Sequence, residues 1–224
     1  MTWVAWLTKV LLVAVLVVAL LGVVSEVYEI KLLYRAVHGG ALDSELEAND
    51  SLQVLVTVVL ALVYFVTGTS FLIWFYLGRR NLACLGGRKF KYTPRWAVAG
   101  FFVPLLNIVR PFEVMCEVWH GSDPAGFDRD RRPSGSLERE KLGAPSLVKW
   151  WWGIFLTGNV LAHLVFRMAI SENQSIDYMY IQSGLWALAN LVEIVEVVVA
   201  IRLISRITKW QRIRHEHAVA IGVS

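Results

Sequence analysis

Residues 96–120 read WAVAGFFVPLLNIVRPFEVMCEVWH and determine how many times the chain crosses a membrane. The segment is apolar, but two prolines, an asparagine and an arginine interrupt it: Pro104, Asn107, Arg110 and Pro111. A non-helical stretch of backbone within the membrane is stable only where protein or water forms hydrogen bonds with its polar groups. We therefore predict a proline-broken element over residues 96–119 that packs against the rest of the protein.

The remainder of the chain is unusually apolar. Apolar residues make up 56% of its 224 residues, and the mean hydropathy is +0.53, whereas soluble domains average about 45–50% apolar residues. Four stretches are long enough to cross a bilayer core of about 30 Å as helices: residues 3–24, 52–77, 147–170 and 181–204. The predicted fold class is all-α, an integral membrane bundle of four transmembrane helices within a single membrane domain, residues 1–224.

Polar segments connect the predicted spans. Residues 41–50 form an acidic loop, and residues 79–95 form a loop with six basic and no acidic residues. Residues 121–144 combine Gly, Pro and mixed charges, which is typical of a mobile linker. Residues 205–224 form a basic C-terminal tail.

Basic residues decide whether residues 96–119 cross the membrane. If the segment does not cross, 19 of the 22 Lys and Arg residues lie on one side. If it does cross, 13 lie outside and 8 inside, with Arg110 between the two sides. The positive-inside rule favours the first arrangement, with both termini cytoplasmic. Because the basic residues flank apolar spans, the net charge of +4 does not indicate nucleic-acid binding.

The fourth predicted span carries ionisable residues near its middle. Glu193 and Glu196 are three residues apart and share a helix face. Counting from the outer ends of the spans places the polar residues of the third and fourth spans at similar depth, which predicts an intramembrane cluster of Asn159, His163, Asn190, Glu193 and Glu196. The cluster is interpreted either as a proton or cation site or as an interhelical polar clamp, typically worth about 0.6 kcal/mol per contact.

A second candidate site lies at the cytoplasmic side. It comprises the end of the second span and the proline-broken element, with Arg79, Arg80, Asn81, Trp96, Pro104, Asn107, Arg110, Pro111 and Glu113. One interpretation is a re-entrant element that binds a headgroup, an anion or a partner through freed backbone groups and Arg110. The other is an amphipathic interfacial helix in which Arg110, Glu113 and Glu117 form local ion pairs.

Several motifs resemble a known family. They are Trp74 with Arg79-Arg80-Asn81, Thr93-Pro94-Arg95-Trp96, Phe102-Val103-Pro104 with Asn107, Pro111 and Trp119, then Trp151-Trp152, and the stretch 206–211. In order and spacing they resemble a bacterial, actinobacterial-type, membrane family known as domain of unknown function 4328. Phe101 departs from the pattern, where tryptophan is expected. The resemblance implies a four-span bacterial membrane module and brings no activity.

The motif-bearing residues favour a non-catalytic inner-membrane module that binds a protein partner or anionic lipid headgroups. The first alternative is an oligomeric ion or proton channel or transporter subunit that uses the intramembrane carboxylates. The second is a membrane-interface enzyme using Glu113, Glu117 and His120, which lacks a neighbouring nucleophile. We predict no catalytic residue, metal site or cofactor, no nucleic-acid partner, and a homo-oligomer or a subunit of a membrane complex.

Overall fold

The computed structural model describes residues 2–38, 40, 43–85, 90–132, 134, 138–139, 141–171 and 175–220. Most of these residues are helical, and none of them lies in a β-strand. The predicted all-α class is therefore confirmed for the described part of the chain.

Four long helices and a set of short ones make up the part of the chain that the structure describes. The elements are α1 (Thr2–Val37), α2 (Asp43–Cys84), α3 (Pro94–Ala99), α4 (Leu106–Ser122), a single 3-10 turn (Pro124–Gly126), α5 (Phe127–Arg131), α6 (Ser146–Ala169) and α7 (Ile176–Ala220).

Three of the helices are long and apolar enough to cross a membrane, within the described residues: Thr2–Arg35, Val54–Cys84 and Ser146–Ala169. Large apolar side chains on these helices are exposed, including Val54 and Phe65 on α2. Side chains of this kind are compatible with lipid. The chain is thus a membrane protein by the length and composition of its helices. The fourth predicted span, residues 181–204, is not among the three.

The helix ends differ from the predicted ones. The acidic stretch was predicted as a loop over residues 41–50, but α2 begins at Asp43. Residues 79–84, predicted as part of the basic loop, form the last turns of α2. The predicted basic tail is helical as far as Ala220. In the last turns of α2 and in the C-terminal part of α7, some of the polar side chains have partners in the folded protein, among them Arg79 with Glu117 and Arg214 with Asp130.

The chain divides into two compact units. Unit 1 comprises Met1–Val10, Gly68–Trp152 and Val199–Ser224, and unit 2 comprises Leu11–Thr67 and Gly153–Val198. The four long helices contribute residues to both units.

Unit 1 has an aromatic and aliphatic core. Trp74 and Phe75 of α2 and Leu203, Ile204 and Ile207 of α7 are completely buried. Trp74 Nε1 donates a hydrogen bond of 3.2 Å to Thr208 Oγ1, which satisfies the indole without water. These contacts fasten α2 to α7.

Residues 96–119, predicted as a proline-broken element, form a helical hairpin of α3 and α4 in unit 1. The helix is interrupted between Ala99 and Leu106, a stretch that includes Pro104, whereas Pro111 lies inside α4, which continues through it. Pro94 occupies the first turn of α3, where its missing N–H is harmless. A Cβ on Gly100 would lie 3.0 Å from Arg110 Cβ, so glycine allows the two arms to approach. The buried residues of α4 recur at helical spacing and form one face: Pro111, Val114, Met115, Val118, Gly121 and Ser122.

The start of the predicted mobile linker, residues 121–144, is helical. Its first residues complete α4, and they are followed by the 3-10 turn and α5. The Asp123 carboxylate accepts a hydrogen bond of 3.0 Å from Ala125 N and caps the turn. The fold of residues 121–131 follows from these local bonds and from the burial of Asp130 against α7.

Candidate functional site

Two neighbouring arginines near the end of α2 lie in different environments. Arg79 is 4% exposed, whereas Arg80 is exposed. Arg79 donates a hydrogen bond to the carbonyl of Tyr92. Its Nε lies 3.4 Å from Glu117 Oε2, and its guanidinium stacks over Phe90 at 4.3 Å from the ring centroid. Arg79 therefore joins α2 to the segment before α3 and to α4.

The hairpin arms are joined by a network around Tyr92. Lys91 N donates a hydrogen bond of 2.7 Å to Glu117 Oε1, and Tyr92 OH donates to Glu113. Arg110 stacks over Tyr92 at 4.7 Å, and its NH1 lies 3.9 Å from Glu113 Oε2. The predicted local pair of Arg110 with Glu113 is present, whereas Glu117 pairs with Arg79.

Burial shifts the acidity of groups in this network. It raises the pKa of Glu117, although the Lys91 backbone N–H and the charge of Arg79 act in the opposite direction. Burial and the hydrogen bond to Glu113 raise the pKa of Tyr92. Burial, with a smaller effect from Glu113, raises the pKa of Cys116 to about 12. The network thus holds a phenol and a thiol in their neutral forms at neutral pH.

A cavity of 730 Å³ opens beside this network. Aromatic and apolar residues form part of its wall. The rest is formed by polar residues and by charged residues of both signs. Its lining consists of Phe90, Lys91, Tyr92, Phe112, Glu113, Cys116, Glu117, His120, Arg139, Leu142 and Ala144. The pairing of cations with carboxylates leaves this cavity without a single dominant charge.

The hairpin tip presents the remaining predicted residues. Pro104 and Asn107 are exposed and lie outside the Tyr92 network. Leu105 is 81% exposed and has a φ of 65°, in the left-handed region that non-glycine residues rarely adopt. Trp96 is 38% exposed and lies under the Arg110 guanidinium at 5.8 Å. The tip is therefore apolar and separate from the polar network.

Phe101 fixes the hairpin to the helices of unit 1. Its ring packs edge-on against Phe71 and Phe75 of α2, with centroids 6.4 and 6.1 Å away. Trp152 adds a third edge contact and donates a hydrogen bond of 2.9 Å to the carbonyl of Ile108. Phenylalanine therefore fills an aromatic site at the position where the family resemblance leads us to expect tryptophan.

Asn81 belongs to a different contact. Its side chain donates to Gln211 Oε1 at 3.4 Å, and Gln211 Nε2 donates to Gly78 O and Ser122 Oγ, both at 2.9 Å. This bridge links α2, α4 and α7. Asn81 therefore helps to hold the helices of unit 1 together and does not belong to the network of Arg79 and Tyr92.

Sequence reasoning missed the most deeply buried charged contact of unit 1. Arg214 NH1 lies 2.9 Å from Asp130 Oδ2, and both side chains are 0% exposed. Arg214 also donates to the carbonyls of Asp123 and Leu85. The available signal was the three-residue spacing of Gln211 and Arg214, which puts both on one face if the tail is helical.

Unit 2 contains the predicted intramembrane cluster. Asn159, Asn190, Glu193 and Glu196 line one cavity of 470 Å³. His163 is exposed and is not among the residues that line it. The structure thus brings four of the five predicted residues together.

The two cysteines are expected to react with thiol reagents at very different rates. Cys84 is exposed at the end of α2, whereas Cys116 is partly buried. A pKa of about 12 in place of 9.0 lowers the thiolate fraction of Cys116 by about 10³ at neutral pH. Mass spectrometry after maleimide labelling in detergent at pH 7.5 should therefore find Cys84 modified first. The Cys84→Ser variant should label slowly, and rapid labelling of that variant would contradict the burial of Cys116.

Comparison with known proteins gives one match. The family model described as "Domain of unknown function (DUF4328)" matches residues 38–209. This match covers most of the chain and confirms the resemblance drawn from the motifs. No curated protein and no solved structure matches the chain.

Proposed function

The chain belongs to the DUF4328 family, a domain of unknown function, and we propose that it is a non-catalytic multi-pass membrane module. It engages anionic lipid headgroups through the α3–α4 hairpin. The proposal rests on one observation, the exposed apolar tip of that hairpin. Its large apolar residues are 37–81% exposed: Phe102, Val103, Leu105, Ile108 and Val109.

The position of the tip beside α2 supports its contact with lipid. Phe101 packs against Phe71 and Phe75, which lie within the candidate span Val54–Cys84. Phe75 is nine residues before Cys84, or about 14 Å along the helix axis. A tip at this level reaches apolar lipid when α2 crosses the membrane. The strained backbone of Leu105 then presents an apolar side chain where lipid solvates it.

The base of the hairpin is basic. Lys91 and Arg95 are exposed, and Arg110 is partly exposed above the Tyr92 ring. Each basic residue near an anionic leaflet contributes about 1 kcal/mol of attraction. Glu113 forms ion pairs with both Lys91 and Arg110, so the net charge of these three side chains is positive. A segment that binds an anionic leaflet typically combines apolar residues that enter the lipid with basic residues at the level of the headgroups, and this hairpin has both.

Both arms of the hairpin meet on the same side. Lys91 and Tyr92, before α3, bond to Glu117 and Glu113 in α4. We therefore propose that residues 96–119 enter and leave by the inner leaflet, and that α7 supplies a fourth span. In this arrangement both termini are cytoplasmic in a bacterial inner membrane. Copies of the chain or other subunits would shield the carboxylates of α7.

Placement of a fluorophore at residue 105 tests the proposal. In a background with Cys84→Ser and Cys116→Ser, Leu105→Cys is labelled with an environment-sensitive dye in proteoliposomes. We expect blue-shifted emission and quenching by nitroxide-labelled acyl chains, because the residue lies in lipid. Asp128→Cys, exposed on α5, is the matched control and should remain unquenched.

The lipid preference forms a second arm of the same experiment. Spin-labelled phosphatidylglycerol should be immobilised more than spin-labelled phosphatidylcholine by the wild-type protein. Arg95→Gln should reduce this preference about fivefold, the equivalent of about 1 kcal/mol. Leu105→Gly removes the apolar side chain and should therefore weaken the contact with lipid. It should not unfold the protein, because glycine adopts the positive φ of this position without strain.

Two results would overturn the proposal. Residue 105 in water, as accessible as residue 128, would remove the lipid contact. Residue 105 shielded by a copurifying protein, with equal immobilisation of both lipids, would favour a protein partner instead.

A further inference from the structure

Unit 2 contains two adjoining cavities. One has a volume of 470 Å³ and is lined by Asn159, Glu193 and Glu196 among others, and the second has a volume of 600 Å³ and extends to α1. Four residues line both cavities: Thr57, Leu60, Trp186 and Asn190. The cavities therefore meet at Asn190.

Glu26 of α1 is the least satisfied group in the second cavity. It lies in the candidate span Thr2–Arg35, is 7% exposed, and lines the cavity. Its Oε2 has no hydrogen-bond partner in the described part of the chain. An ionised carboxylate at such a position is costly unless a cation or a proton neutralises it. The unpartnered oxygen thus points to a ligand.

Other oxygen-bearing groups surround this position. Glu29 accepts a hydrogen bond of 3.2 Å from Ser183 Oγ, and both residues line the same cavity as Glu26. Asn190 is 7% exposed and donates from Nδ2 to the carbonyl of Trp186 at 3.0 Å, so its Oδ1 still has lone pairs for a ligand. A Cβ on Gly22 would lie 2.9 Å from that oxygen, so the glycine of α1 leaves room for the amide in this position.

The titratable groups that face the cavities are acidic. The titratable residues lining them are Glu26 and Glu29 from α1, Tyr64 from α2, and Glu193 and Glu196 from α7. No Lys, Arg or His is among the lining residues that the structure describes. The basic residues Lys31 and Arg167 and the imidazole of His163 are exposed.

We propose that these cavities form an intramembrane site for a small monovalent cation, with the Glu26 carboxylate and the Asn190 amide as its inner ligands. Carboxylate, amide and hydroxyl oxygens are hard ligands that suit Na⁺, and the carboxylate alone suffices to bind a proton. Glu193 and Glu196 extend the acidic lining from Asn190 along α7. The site is independent of the hairpin, because unit 2 contains none of the hairpin residues.

Carbodiimide labelling of the full-length protein in detergent tests the site without a mutation. N,N′-dicyclohexylcarbodiimide enters apolar cavities and modifies protonated carboxyl groups. Mass spectrometry should find Glu26 modified, and raising the pH or adding NaCl, with choline chloride as the ionic control, should slow the modification about tenfold or more. Protection by Na⁺ identifies Na⁺ as the cation, and protection by pH alone identifies the proton.

A matched pair of variants provides the second measurement. Glu26→Gln should weaken Na⁺ binding in calorimetry about tenfold or more, or abolish proton uptake after a pH jump. Asp177→Asn, in the exposed first turn of α7, should leave both unchanged. If Glu26 is not labelled, or is labelled at a rate independent of Na⁺ and pH, the proposal is wrong, whether or not Glu26→Gln folds. The lipid contact of residue 105 should be the same in all of these proteins.

Discussion

Arg214→Ala is expected to lower the free energy of unfolding of the protein by about 3–5 kcal/mol. The substitution leaves the Asp130 carboxylate buried without its partner, at a site where both side chains are 0% exposed. It also removes the donor to the carbonyls of Asp123 and Leu85. Unfolding of the purified protein in detergent, followed by circular dichroism as the fraction of sodium dodecyl sulfate increases, measures the loss.

Arg212→Ala is the matched control for this prediction. Arg212 lies on the same helix and forms an ion pair of 3.7 Å with Glu216, but those side chains are 64% and 66% exposed. Pairs of this kind contribute about 0.5 kcal/mol or less. If the two alanine variants unfolded at the same detergent fraction, the buried pair would not hold α5 and α7 together as described.

Arg79→Ala is expected to destabilise the protein by about 2–4 kcal/mol, because it removes several contacts at once. The variant loses the donor to the Tyr92 carbonyl, the ion pair with Glu117 and the stacking on Phe90. Without the charge of Arg79, which lowers the pKa of Glu117, that pKa rises further. The destabilisation should therefore shrink as the pH falls and Glu117 takes up a proton.

Arg80→Ala separates this effect from the general loss of a basic residue. Arg80 is exposed, and its replacement should change the free energy of unfolding by less than about 0.5 kcal/mol. The double variant Arg79→Ala with Glu117→Gln should recover part of the loss, since no unpaired carboxylate remains. Equal effects of Arg79→Ala and Arg80→Ala, or no recovery in the double variant, would contradict the network.

The helical class was predictable because it depends on local composition. Uninterrupted apolar runs in α1, α2 and α6 are long enough to cross lipid as helices, and no packing detail changes that requirement. Pro104 likewise predicted an interruption, since proline lacks the N–H that a helix interior needs, and it lies between α3 and α4. Pro111 does not interrupt the backbone as predicted, because it lies inside α4, which continues through it.

The candidate site was only partly predictable. Arg79, Arg110 and Glu113 meet around Tyr92, but Asn81 bonds to Gln211, which is 130 residues away in the chain. The sequence alone does not single out Glu26, because an acidic residue that follows an apolar run can lie either in water, on a helix that extends beyond the lipid, or in a buried site. Burial and the cavity beside it distinguish the two environments.

The sequence by itself determined that this protein is helical, rich in membrane-spanning character and interrupted by prolines near its middle, because hydropathy and backbone chemistry act over a few neighbouring residues. Only the tertiary structure decided which charged stretches continue as helix and which polar side chains meet. A charged residue such as Arg214 is equally suited to a tail in water and to a buried ion pair. Its environment depends on Asp130, 84 residues earlier, which comes close to it only when the chain has folded.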